Sequence, residues 1–146
     1  MSKPETTMPA LNFQPQFVPF VEDKSKLHSI RAKRKRPWKV GDNIYLYTGL
    51  RHKGARLIRE ATCVKVEEIQ MKWQDYVVRR PQCYLPARRL VISVDGEELS
   101  PDECESLALR DGFQDWPSFV AYWTPRVPFY GDIIHWNRTA AQGGKC

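Results

Sequence analysis

No two cysteines in this chain of 146 residues are spaced as C-x-x-C. The four thiols, Cys63, Cys83, Cys104 and Cys146, therefore suggest neither a zinc knuckle nor a disulfide framework. His28, His52 and His135 are scattered, and none has a cysteine or acidic partner at ligand spacing, so neither a metal nor a cofactor is expected. No apolar run approaches the ~20 residues of a membrane span, and the opening residues, MSKPETTMPA, lack the apolar stretch of a signal peptide. A reducing cytoplasm and no membrane partner are the resulting expectations. The chain also lacks a repeat, a Walker A loop, a dinucleotide fingerprint, a G-x-S-x-G elbow and an H-E-x-x-H helix, which removes the commoner enzyme signatures.

Acid is the next scarcity, and it is local. Residues 24–36, KSKLHSIRAKRKR, hold seven basic residues among thirteen and no acidic one, with the hydroxyl of Ser29 three places after Lys26. Residues 24–89 carry 18 basic against 5 acidic side chains, a balance of +13, whereas residues 90–146 carry 4 against 9, a balance of −5. If the acidic part folds behind the basic part, one face holds most of the positive field, and a polyanion is the natural partner. A basic surface kept for solubility is the plain alternative.

The pattern along the chain predicts one domain over residues 11–138, flanked by disordered tails at 1–10 and 139–146. Residues 11–23 mix Phe13, Phe17, Phe20 and Val21 with two prolines, which suits a short strand and a helical turn. Residues 43–48 alternate Ile44 and Leu46 with Tyr45 and Tyr47, a strand closed by Gly49. Residues 55–69 favour a curved strand, followed by a less regular stretch that ends at Arg79-Arg80-Pro81. A strand over 88–94 leads into an Asp95-Gly96 hairpin turn. Ser100-Pro101-Asp102-Glu103 predicts a capped helix that stops at Gly112, and Asp115 caps a second helix broken by Pro125. Residues 132–136 form a returning strand. The fold class expected is α+β, a small barrel or curled sheet with helices packed at one end.

Lys24, Lys26, Arg31, Lys33, Arg34, Lys35 and Arg36 are the candidate phosphate contacts, with Arg51, Lys53 and Arg56 extending the track on the next loop. Tyr47, Trp38 and Trp73 are aromatic candidates for stacking on unpaired bases, although burial is the stronger expectation for Tyr47 and Trp73. Trp123 and Trp136 are assigned to the core. An acidic helix face with Asp102, Glu103, Glu105 and Asp115 leaves a protein-interaction adaptor of a phage or host complex as a background alternative.

The order of several phrases resembles the ASCH domain, a member of the PUA-like superfamily. They are FQPQFVPFV (13–21), KLHSIR (26–31), VGDNIYLYTG (40–49), ATCVKV (61–66), Asp111-Gly112-Phe113 and GDIIHW (131–136). The likeness implies a pseudo-barrel with a short N-terminal helix and two helices from the C-terminal half packed at one end. It also implies a basic cleft between barrel and helices that takes RNA or a modified nucleoside. The family's signature reads lysine followed by T-x-T-I-R; here Leu27 replaces the first threonine and Ser29 the second, and Asp23-Lys24-Ser25 occupies the turn where a glycine is common. Some ASCH-like proteins are similar to amidohydrolases of acetylated cytidine that use a lysine, a hydroxyl residue and a carboxylate. By that resemblance the catalytic set falls on Lys26, Ser29 and Asp111, with Lys26 as base, Ser29 as nucleophile and Asp111, shorter than the family's glutamate, as proton shuttle.

Overall fold

The computed structural model describes residues 9–50 and 53–138. Apart from Pro9 and Ala10, the tails expected at 1–10 and 139–146 lie outside these residues. Strands make up 48% of the described residues, about twice the usual share, so the architecture is α+β dominated by a sheet. The hydrogen-bonded strand order is β1-β3-β4-β5-β6, with β7 pairing both β2 and β4, and the sheet does not close on itself. The described residues divide into two compact units: residues 9–29, 36–50, 53–66 and 134–138 form the first, residues 30–35 and 67–133 the second. The divisions fall inside strands β2 (His28–Ala32), β4 (Arg56–Arg80) and β7 (Phe129–Trp136).

In the first unit β1 (Ala10–Phe13) runs parallel to β3 (Asn43–Thr48), with Leu11 opposite Leu46. The alternation read from the sequence appears as burial: Ile44 and Leu46 are fully buried while Tyr45 and Tyr47 are half-buried. β3 then pairs antiparallel with the start of β4, with a register shift between Leu46 and Tyr47. A 3-10 turn, Pro15–Phe17, feeds the short helix α1 (Val18–Glu22), which buries Val18 and Val21. Phe13 meets Trp136 edge to face, ring centroids 5.9 Å apart. Trp38, placed by sequence among the possible base-stacking rings, is buried in this unit. The turn before β3 bends at Gly41, whose φ of +97° disfavours a side chain. Its amide donates to the Cys63 carbonyl, and the Cys63 amide donates to the Asp42 carbonyl, each at 2.8 Å.

In the second unit the rest of β4 pairs with β5 (Cys83–Val94) from Ile69–Val94 out to Arg80–Cys83. Asp95 and Gly96, both at positive φ, form the two-residue turn into β6 (Glu97–Glu98), as the hairpin geometry requires. Helix α2 (Pro101–Arg110) begins with a complete capping box: the Glu103 amide donates to Ser100 Oγ at 3.2 Å, and the Ser100 amide donates to Glu103 Oε1 at 2.8 Å. It ends in a Schellman arrangement at Gly112, with the Phe113 amide donating to the Ala108 carbonyl and the Gly112 amide to the Leu109 carbonyl. Helix α3 (Trp116–Trp123) is capped by Asp115, which accepts from the Ser118 amide at 2.9 Å. A 3-10 turn at Thr124–Arg126 follows, where Pro125 prevents continuation. Ile69, Met71, Ile92, Leu107, Phe119 and Ile133 centre this unit's core.

Three strands exceed the lengths read from the sequence. β4 continues without irregularity through residues 70–80, β5 begins at Cys83 rather than 88, and β7 begins at Phe129 rather than 132. The cause for the first two is shared. From Gln74 outward their added residues pair as a ribbon with no buried residue on either face, so no buried face imposes apolar alternation on them.

Candidate nucleic-acid interface

Within the first unit, the turn before the signature hexapeptide is tied by Asp23, whose Oδ1 accepts from the Ser25 amide at 2.8 Å and from Ser25 Oγ at 2.6 Å. Those hydrogen bonds hold the Asp23 carboxyl below its ordinary range. Lys24 sits between them at φ +67°, the left-handed conformation that a glycine adopts without strain. The chain then enters the interior. Lys26 is 3% exposed, His28 3% and Ser29 4%, so three polar side chains within four residues are withdrawn from water. The Lys26 ammonium lies 5.2 Å from the centroid of Phe17 and 5.9 Å from that of Phe13, which gives it two aromatic faces in place of solvent. His28 packs beside His135, ring centroids 5.5 Å apart.

Within the second unit, Arg31 is half-buried and Asp111 is buried. Desolvation pulls the Arg31 guanidinium's pKa below its ordinary value, and the charges of Tyr122 and Asp111 oppose that shift. The same unit claims Lys33. Its ammonium donates to Asp132 at 2.7 Å and Glu68 at 2.9 Å and lies over the Tyr130 ring, while the Tyr130 hydroxyl donates to Glu68 at 2.8 Å. Sequence reasoning placed Lys33 among the phosphate contacts and assigned no role to Glu68 or Tyr130. Their partnership joins residues 35 to 99 positions apart, which no local pattern announces.

This network predicts a pH dependence. The hydrogen bonds that Lys33 donates to Asp132 and Glu68 raise its pKa, and the bonds that Glu68 accepts from Lys33 and then Tyr130 lower that of Glu68. A depressed carboxyl contributes stability that is present above its unfolded value and lost as pH falls through its folded value; a raised ammonium contributes below its unfolded value and loses that as pH rises through its folded one. The stability gap between wild type and Lys33→Met should thus be widest between about pH 5 and 9 and shrink below about pH 4. Urea unfolding across that range reads it, and a gap unchanged into acid would refute the pairing.

The other candidates are dispersed. Arg34 is half-buried, and Lys35 and Arg36 are exposed. Arg56 pairs with Glu22 at 3.2 Å, Lys53 is exposed in the turn before β4, and Tyr47 is half-buried on β3. Arg51 lies outside the described residues. Lys26 and Ser29 belong to the first unit and Asp111 to the second. Among the described residues no group of three or more histidine, cysteine, aspartate or glutamate side chains is placed to hold a metal ion, and no helix is long and apolar enough to cross a membrane. Comparison with protein-family models, curated proteins and solved structures finds no match to this chain.

Proposed function

We propose that the protein is an RNA- or nucleotide-binding module of PUA-like type, engaging phosphate and base through the segment 24–36. The observation that carries this reading is the burial of Lys26, His28 and Ser29 a few residues before the exposed cations Lys35 and Arg36. A cation set in a water-poor environment attracts an anionic or oxygen-rich ligand more strongly than an exposed one does, so the position of Lys26 suits such a site. The exposed cations supply the long-range attraction. The ordered likeness to ASCH domains supports the same reading and the pseudo-barrel that goes with it.

Fluorescence anisotropy with a labelled single-stranded RNA tests it. Affinity should fall steeply with salt, and Lys35→Gln with Arg36→Gln should reduce the slope of log K against log salt by about 0.7 for each phosphate that is no longer neutralised. Lys26→Met should weaken binding at every salt concentration. Affinity indifferent to salt would remove phosphate-led recognition.

A second reading rests on Lys26 and Ser29 being buried in the same unit. An unprotonated lysine can take the proton of a serine hydroxyl as that oxygen attacks an amide carbonyl and return it to the departing amine as the C–N bond breaks, leaving an acyl-enzyme for water to hydrolyse. Turnover of N4-acetylcytidine is the assay. Wild-type turnover lost in Ser29→Ala with RNA affinity retained would favour the hydrolase, and no wild-type turnover would leave the binding module alone.

A further inference from the structure

Past Trp73 and Leu90 the β4–β5 hairpin leaves its own core. Residues 72–89 are all exposed or half-buried, and the seven rungs from Gln74–Arg89 to Arg80–Cys83 form a two-stranded ribbon about 20 Å long. An isolated ribbon of this kind is marginal in water. Its root, however, is fixed, since Ile69, Met71, Leu90 and Ile92 at the same hairpin's base are buried.

The ribbon is strongly basic. Residues 72–89 contain Lys72, Arg79, Arg80, Arg88 and Arg89 and one acid, Asp75, with Glu98 of β6 alongside Arg89. The pairing register puts Arg79 and Arg88 on one face and Lys72, Arg80 and Arg89 on the other. Several of these cations are braced. The Arg88 guanidinium lies 4.1 Å from the Trp73 centroid and that of Arg79 5.7 Å from Tyr84, while Arg89 donates to Gln74 Oε1 at 2.7 Å and to Glu98 at 3.2 Å. At the tip, Arg79 and Arg80 stand beside Pro81, with Tyr84 and Leu85 exposed.

We propose that this ribbon inserts into a groove of duplex DNA. The major groove of B-form DNA, about 12 Å wide, admits a two-stranded β-ribbon, and cations on both faces meet the two phosphate backbones that border it. The exposed Tyr84, Leu85 and Pro81 place apolar groups at the leading end, where they can lie against sugars or base steps. An A-form RNA duplex is a poor host, because its major groove is deep and narrow. A second copy of the chain is disfavoured by like charge, since two such ribbons repel. A protein partner would have to be strongly acidic to match five cations, whereas every duplex carries that negative charge along its length.

The inference concerns different residues from the RNA-binding segment, and its test keeps the two apart. Anisotropy is measured with a 20-base-pair DNA duplex, the RNA duplex of the same sequence and a single-stranded RNA. The proteins are wild type, the double variant Arg79→Gln/Arg80→Gln, and a variant in which residues 77–86 are replaced by Asn-Gly to close the hairpin at Tyr76 and Ala87. The double variant should bind duplex DNA at least about 10-fold more weakly, with a salt slope smaller by about 2. The shortened variant should lose duplex DNA further while melting at the wild-type temperature. Both should keep wild-type affinity for single-stranded RNA.

Wild type that binds duplex DNA no better than duplex RNA would overturn the proposal, as would variants that bind duplex DNA like wild type. Unfolding of the shortened variant would overturn it by making the ribbon a structural element. Concentration-dependent dimerisation abolished by Tyr84→Ser/Leu85→Ser, with DNA affinity unchanged, would reassign the ribbon to self-association.

Discussion

Phe119→Ala should cost about 3–5 kcal/mol of stability, a loss comparable to the whole folding free energy of many small domains. The side chain is fully buried and sits among three other rings. Trp116 stacks on it at 5.3 Å with planes 16° apart, Phe113 meets it edge-on at 5.3 Å, and Trp123 lies tilted at 6.1 Å. Removing the central ring leaves a cavity that these large, mutually wedged neighbours cannot fill by small rotations. Helix α3 has eight residues and no independent stability at that length. Its seat is the packing that the substitution removes. Urea unfolding followed by tryptophan fluorescence should show the loss, with Leu109→Ala, exposed on α2, changing stability by less than about 0.5 kcal/mol. A Phe119→Ala cost near ~1 kcal/mol would mean that the ring cluster is not the centre of this unit.

What the sequence made legible follows from where the determining interactions lie. The strand Asn43–Thr48 and both long helices carry their signals within a few residues: alternation at Ile44 and Leu46, a capping box at Ser100 and Glu103, an aspartate cap at Asp115. The β4–β5 ribbon carries no such signal. Beyond Trp73 neither face is buried, so Tyr76, Val77, Val78 and Leu85 follow no inward pattern, and Arg79-Arg80-Pro81 read only as a turn. At the site, the hexapeptide at 26–31 stood out by charge and by resemblance. That Lys26 would lie between two phenylalanine faces depends on the positions of Phe13 and Phe17, which local sequence does not fix. Trp38 illustrates the reverse error. It follows Pro37 in the most basic part of the chain and looked accessible, yet it is 6% exposed.

Gly131→Ala tests the strand that carries Arg31, and its expected cost is about 3 kcal/mol, at the upper end for overpacking. A Cβ added there would lie 2.2 Å from the Arg31 carbonyl oxygen and 2.7 Å from Cζ of Phe129. The Phe129 ring can turn aside, but the Arg31 oxygen belongs to the backbone of β2, which pairs with β7. Relief therefore requires the two strands to move apart at Arg31. Gly96→Ala is the matched control: its φ of +86° imposes a conformational penalty of about 1–2 kcal/mol, yet nothing lies within 4 Å of the added carbon. The two glycines answer different demands, close approach at Gly131 and backbone conformation at Gly96. If Arg31 serves the proposed interface, Gly131→Ala should also weaken single-stranded RNA binding under conditions where the variant remains folded, whereas Gly96→Ala should leave it unchanged. Equal stability costs for the two substitutions would show that β2 yields to the methyl group, and Arg31 would then be free to shift without consequence for the strand pair.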